Sequence, residues 1–497
     1  MKQLFDAKLK RNVACKLKKF RKLHSDSNAP PKLPDCEYTS NSYQGPAYEN
    51  VQKIRNGNVI ASYNQYYRKP LLLHEGKMQW LFDHQGKRYL DMFGGICTVS
   101  VGHCHPTVTA AAEKQIRSLW HSANVYQHPK LYEYAEALAS TLPDPLKVVY
   151  LVNSGSEAND LALFLARLHT KNLDIISFQN CYHGMSSFMM GVTSLPPYRY
   201  NTPIPSNIHH AVNPDVYQGL WGGSRCRDSL VQTTRKCDCC ADNCLASEMY
   251  YKQFADIFKY SLPLGHLAAL IVEPIQGVGG AVQFPKGFLK KAFDLVRENG
   301  GVCIADEVQT GFGRTGDHFW GFEMHDIKPD IVTMAKGIAN GFPMAAVVTT
   351  PEVAKSLTGA TLAHFNTFGG NALACSVAHS VLQVIEEENM QANSKLVGSY
   401  LIQELAKLRD EFECVGDVRG KGLMIGVELV QDKVTKQPLV GDDFFDIWEN
   451  CRDMGLLIGR GGLKGNVLRF KPPMCVTLED ARFSVDVLRR ALSEHYH

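Results

Sequence analysis

From Val148 onward, short apolar runs alternate with amphipathic helical stretches, and this alternation constrains the fold more than any other feature of the sequence. VVYLVN precedes a helical stretch, and DIISF precedes a Gly-containing turn. LAALIVEP leads into GFLKKAFDLVRENG and then GGVCIADEV; DIVTMAK leads into a Gly-rich turn and PMAAVVTT. Short buried strands alternating with helices imply an α/β fold with a mostly parallel sheet covered on both faces. In such sheets ligands gather at the carboxyl ends of the strands. The polar residues just after each run are therefore the ones to weigh.

Four sites of this kind stand out. Asn153-Ser154-Gly155-Ser156 separates VVYLVN from a helix, and small residues there expose backbone N–H groups suited to an anion. Ser154 and Ser156 add hydroxyl donors, although a plain Ser N-cap reads the same way. Asp306 ends an apolar run in VCIADEVQTGFGR, where an acid needs a partner. A protonated aromatic ring nitrogen would serve, as would an Arg or a helix cap. Lys336 ends DIVTMAK, and a desolvated lysine there acts as a nucleophilic amine unless it snorkels outward. Arg469, in NVLRFKPPM, has the two-pronged geometry that grips a carboxylate, or is an exposed strand residue. No Gly-x-Gly-x-x-Gly, P-loop or His-Glu-x-x-His pattern competes.

The remainder of the chain frames this region. At 497 residues it is too long for one compact core. WLFDHQGKRYLDMFGG alternates around Gln85-Gly86 as a hairpin does, residues 107–120 and 130–141 have helical spacing, and 376–412 read as helix. The expected organisation is a leader and linker over 1–45, a first part of a small domain over 46–106, a large domain over 107–375 and the rest of the small α+β domain over 376–497. Residues 1–24 hold nine Lys or Arg against one acid, so the body is slightly acidic and has no broad basic face for nucleic acid. That leader has the composition of an organelle transit peptide, or is a solvated basic tail. No apolar run approaches membrane-spanning length. Most of the 15 Cys are scattered singly, like buried free thiols. The exception is Cys226, Cys237, Cys239, Cys240 and Cys244, within an insertion at about 220–247. Their irregular spacing suits a surface insertion; a structural zinc site is the alternative, and no metal ligand is assigned.

VNSGSEAN, YHG, VEPIQG, IADEVQTGFGRTG, MAKGIANGFPMAA, HFNTFGGN and RGKGLMIGVEL occur in an order that resembles the class III aminotransferases of fold type I, from about residue 60 to the C-terminus. The resemblance implies pyridoxal 5'-phosphate as cofactor. By it, Lys336 bonds the cofactor aldehyde and Asp306 holds the ring nitrogen. Gly155 and Ser156 bind the phosphate. Tyr182 and Val308 cover the two ring faces, with His183 beside Tyr182 at the rim and Gln309 near the ring hydroxyl. Thr367 reaches the phosphate of a neighbouring subunit, making a homodimer or homotetramer the working unit. Glu273 matches a conserved strand-end acid whose partner the sequence does not fix. The ω-amino members carry a Glu two residues after VEPIQG's Gln-Gly pair begins its turn; here the position is Val278, which leaves Arg469 free for the carboxylate of a small α-amino acid or 2-oxo acid such as alanine or glyoxylate. The mitochondrial matrix is the expected location. Phospho-lyase, decarboxylase or ω-aminotransferase chemistry on the same fold, and a non-catalytic subunit, are the competing expectations.

Overall fold

The computed structural model describes residues 30–60, 66–201, 203, 205–237, 244–358 and 364–495. The basic leader up to residue 29 lies outside them. The hairpin expected around Gln85-Gly86 is present. Strands β1 (Leu73–Lys77), β2 (Trp80–Asp83) and β3 (Arg88–Asp91) form an antiparallel sheet in which Trp80 faces Leu90. Asp83 Oδ1 accepts from the backbone N–H of Gln85 and of Lys87, each at 2.9 Å, which ties the turn.

The central sheet takes β4 (Val148–Val152), β5 (Asp174–Phe178), β6 (Ile208–Ala211), β7 (Leu267–Val272), β10 (Val302–Asp306), β11 (Ile331–Met334) and β12 (Ala345–Thr349) in the order β4-β12-β11-β10-β7-β5-β6. Only β12 runs against its neighbours, so the sheet is mostly parallel. Every residue of β5, β7, β10, β11 and β12 is buried, as strands covered on both faces require.

Helices α1 (Pro106–Ile116) and α2 (Pro129–Ala139) precede α3 (Gly155–Thr170), which lies on the sheet with Ala158, Leu161, Ala162, Leu165 and Ala166 turned inward. The Ser154 hydroxyl caps α3 by accepting from the Glu157 N–H at 3.2 Å, and Lys171 in the left-handed region (φ 58°) ends it. Helices α4 (Leu245–Tyr260) and α5 (Phe288–Glu298) cover β5–β7; the Phe288, Leu289, Ala292, Phe293 and Val296 stripe of α5 packs into a cluster with Phe178 and Phe254.

Toward the C-terminus the stretch expected as one helix is two, α6 (Ala372–Glu387) and α7 (Met390–Glu411). Asn389, left-handed at φ 52°, breaks the helical path between them. A second four-stranded sheet follows from β13 (Val415–Lys421), β14 (Met424–Leu429), β16 (Gly459–Gly461) and β17 (Val467–Phe470), with helices α8 (Asp442–Asp453) and α9 (Leu478–His495). Strand β15 (Leu456–Leu457) instead joins β3 in parallel, so the N-terminal sheet is completed by the C-terminal part of the chain. Between β7 and β10, β8 (Ile275–Gln276) and β9 (Val282–Gln283) make a short hairpin over the strand ends.

Candidate active site

The carboxyl ends of β4, β5, β7, β10 and β11 converge on one cavity, lined by Gly155, Ser156, Asn159, Tyr182, His183, Gly184, Glu273, Asp306, Val308, Gln309 and Lys336. Nine of these were expected from sequence; Asn159 and Gly184 are additions.

At its base is Asp306, buried at the end of β10. Its Oδ2 accepts from Asn159 Nδ2 at 2.8 Å and from His183 Nδ1 at 2.7 Å, while Oδ1 accepts only the Val308 N–H at 3.1 Å. Asn159 is itself locked, since its Oδ1 accepts from Thr333 Oγ1 at 2.6 Å and its Nδ2 also donates to the His183 carbonyl at 2.8 Å. Burial opposes a charge on His183, but the neighbouring Cys181 and the Asp306 carboxylate overcome it and hold the imidazole well above its ordinary value. His183 is thus buried against Asp306 at the base of the cavity, not at its rim as expected, and its Nε2 is buried without a hydrogen-bond partner among the described residues.

Lys336 follows β11 in a left-handed backbone conformation (φ 49°), unusual for a side chain with a Cβ and a form of strain that concentrates at functional sites. Burial lowers its ammonium pKa; Cys97, Asp306 and Glu273 pull the other way, and the charge of nearby Arg469 adds to the lowering. The partner of Glu273 is backbone. Its Oε1 accepts from the Tyr182 N–H at 3.0 Å and its Oε2 from the Gly277 N–H at 2.7 Å, so it braces the loop after β5 against the turn after β8. Burial raises its carboxyl pKa.

The side of the cavity at the N-terminus of α3 is built from small residues. Ser156 Oγ accepts from the Met185 N–H at 3.1 Å. Gly184 sits at φ 132°, and a Cβ there would lie 2.5 Å from Ser156 Oγ, so only glycine fits. A Cβ on Gly155 would meet Val308 Cγ1 at 3.2 Å. Tyr182 packs edge-on to Tyr198 at 4.8 Å, and burial pushes its phenol up to about 12.

Three expected residues do not line the cavity. Ser154 is exposed and serves as the cap of α3. Thr367 is exposed between Phe365 and Phe368, facing no group of its own subunit's cavity. Arg469 is buried outside the cavity lining: Nε and Nη2 donate to the Arg460 carbonyl at 2.9 and 2.6 Å, Nη1 donates to the Gly277 carbonyl at 3.3 Å, and the guanidinium lies 5.2 Å from the Phe93 ring centroid. No carboxylate among the described residues pairs with it. In the Cys-rich insertion the Cys226 and Cys237 sulfurs are 3.3 Å apart. No group of three or more His, Cys, Asp or Glu among the described residues is arranged to hold a metal ion; Cys239 and Cys240 lie outside those residues.

These residues fit pyridoxal phosphate. A helix N-terminus without bulky side chains suits a phosphate. An amine with a lowered pKa suits an aldehyde. Asp306 Oδ1, with a single backbone donor, has capacity for a ring N–H.

The aminotransferase class-III family model matches residues 62–492. The chain is 56% identical over 465 residues to human alanine–glyoxylate aminotransferase 2, mitochondrial, covering 94% of this chain and 90% of that protein. It is 45% identical over 463 residues to an Arabidopsis thaliana alanine–glyoxylate aminotransferase 2 homolog, mitochondrial, covering 93% and 91%. Among solved structures it resembles an ω-transaminase from Thermomicrobium roseum (TM-score 0.82, 29% identity, 92% of this chain and 100% of that one). It also resembles a phospholyase from Arthrobacter in complex with phosphoethanolamine (TM-score 0.80, 31% identity, 89% and 99%). A cavity whose residues fit pyridoxal phosphate, together with a match to the family model over residues 62–492 and 56% identity to a curated member, places this protein among the class III aminotransferases, enzymes that use pyridoxal phosphate.

Proposed function

We propose that this aminotransferase moves an amino group from a small α-amino acid, L-alanine, to a 2-oxo acid, glyoxylate or pyruvate, in the mitochondrial matrix. The observation that carries the substrate choice is Arg469: buried, bound only to backbone carbonyls, and near enough to influence Lys336. Val278 stands where an acid would neutralise it, and uses its own carbonyl to accept the Gly462 N–H at 2.9 Å. A guanidinium without a carboxylate favours a substrate that brings one. The names of the 56%- and 45%-identical relatives support the same substrates and location.

When bound, pyridoxal phosphate supplies an electron sink for the charge left on the substrate carbon. Lys336 would hold the cofactor by its aldehyde. Its Nζ, when free, would take the substrate α-proton and return it later, as base and then acid. Asp306 Oδ1 would keep a proton on the ring nitrogen, with His183 and Asn159 holding that carboxylate in place through Oδ2. Gly155 and Ser156 would bind the phosphate, Tyr182 and Val308 would flank the ring, and Gln309 would donate toward its hydroxyl. Glu273 positions Tyr182. Thr367 serves the cavity of a second copy, so the active unit is a homo-oligomer. Trp120, Val125, Tyr126, Phe365 and Phe368 are exposed, and His121 lies 5.7 Å from Phe368, which supports an apolar face shared with that copy. We further read residues 1–45 as leader and linker, 107–375 as the large domain, and 46–106 with 376–497 as the small one.

The test is a panel of amino donors against glyoxylate and pyruvate. Alanine with glyoxylate should give the highest kcat/KM, with ping-pong kinetics. Release of phosphate and ammonia from a phosphorylated amine without any oxo acid acceptor would instead indicate a phospho-lyase.

A further inference from the structure

Beside the cavity lies a second buried lysine that the chemistry above does not use. Lys471 follows β17 and is fully buried. Its Nζ donates to Gln309 Oε1 at 2.8 Å and to the Gly277 carbonyl at 3.1 Å. The Cys97 thiol donates to the same Oε1 at 3.7 Å. An ammonium carries donors only, so it dictates which end of the amide turns toward it. With Oε1 occupied, the Gln309 NH2 is the end left for the cavity that Gln309 lines. Gly277 closes in from the other side, since a Cβ there would lie 2.4 Å from Gln309 Oε1. The amide is therefore wedged as well as hydrogen-bonded.

We infer that Lys471 is a positioning residue: it fixes Gln309 so that Nε2 donates into the cofactor cavity. Burial pushes the Lys471 ammonium down to about 7, with the charges of Arg469 and Arg314 adding to the lowering. The inference rests on Gln309 facing the cofactor, as proposed above.

The test compares Lys471→Met, Gln309→Leu and the double variant. Two quantities are read: the pyridoxal phosphate concentration that half-saturates the apoenzyme, and the pH midpoint of the bound cofactor's visible absorbance. Lys471→Met should weaken cofactor binding about tenfold and move the midpoint up by about one unit, because a Gln309 amide no longer held in place stops donating to the cofactor oxygen, which leaves that oxygen more negative and a proton at the Lys336 nitrogen easier to hold. Gln309→Leu should do likewise, and the double variant should be no worse than Gln309→Leu alone. If Gln309→Leu changes neither quantity, the placement of Gln309 is wrong. If each single variant has an effect and the two add in the double, Lys471 acts independently of Gln309 and the inference is overturned. Should Lys471→Met fail to fold, Gln309→Glu carries the test. It leaves Lys471 an acceptor and removes the Nε2 donor, so Tm should hold while cofactor binding weakens about tenfold; unchanged binding overturns the inference.

Discussion

Asp306 receives two side-chain donors on one oxygen and a single backbone donor on the other. Asp306→Asn must either turn an NH2 toward Asn159 and His183, which already donate, or turn it toward the cavity where an acceptor is needed. Turnover should fall about 10²- to 10³-fold with little loss of Tm; steady-state rates near wild type would contradict the role given to Oδ1. The sequence made Asp306 and Lys336 legible because each ends a continuous apolar run, where a charge is conspicuous. Asn159 was hidden inside a helix, where one polar residue among Ala and Leu reads as an exposed position. Lys471 was hidden just past the strand that carries Arg469, since its partners Gln309 and Gly277 are distant in the chain and meet it only through the fold. Ser154 and Ser156 looked equivalent in sequence, but the cap geometry of α3 sends only Ser156 to the cavity.

At the scale of elements, alternation of apolar runs with amphipathic stretches gave the central sheet, while the break between α6 and α7 escaped it because Asn is an acceptable helix residue until its backbone turns left-handed. The Cys-rich insertion was legible only as composition. What anchors it is a buried ion cluster: Arg227 donates to Asp417 Oδ2 at 2.7 Å and Oδ1 at 3.0 Å, and Arg419 Nη1 contacts Asp417 Oδ2 at 3.2 Å and Glu428 Oε2 at 2.6 Å. Arg419 Nε also reaches the Gly280 carbonyl at 2.8 Å, beside the turn that Glu273 braces. Arg227→Met strands part of the Asp417 charge and should destabilise the fold by about 3 kcal/mol in denaturant titration; a loss under about 0.5 kcal/mol would show that the cluster does not hold the insertion. His325 provides a pH signature. Burial holds its imidazole down at about 4, against the donor bond from Nε2 to the Pro274 carbonyl at 2.9 Å and Asp228, with Lys421 and His318 adding to the lowering. The unfolded chain then binds more protons than the folded one below the ordinary His value near 6.5. Stability contributed by neutral His325 is full above about pH 6.5 and declines as pH falls toward about 4, by about 2 kcal/mol over that window. Melting His325→Gln beside wild type at pH 7.5 and 4.5 checks this: the variant should lose less stability between the two. Equal losses would exclude His325 as the source.

At the scale of the whole molecule, the resemblance of ordered motifs conveyed the enzyme class, while the surface carries what motifs do not. Among the described residues no helix is long and apolar enough to cross a membrane. Phe365 and Phe368, both exposed, flank Thr367 in the chain, and His121, next to the exposed Trp120, lies 5.7 Å from Phe368; Thr367 does not line the Lys336 cavity of its own subunit. Phe368→Glu with Trp120→Glu should shift the protein toward monomer in analytical ultracentrifugation and weaken cofactor retention together; a monomer with undiminished cofactor binding would remove Thr367 from the site of a second copy. Every role assigned around the cavity depends on Lys336 being the amine that holds the cofactor. Borohydride reduction of the holoenzyme followed by peptide mass mapping tests that directly. The predicted result is one covalent cofactor per chain, on the peptide bearing Lys336, and none in Lys336→Ala. A label on Lys471 or any other lysine, or no label on a protein that still turns over, would contradict it.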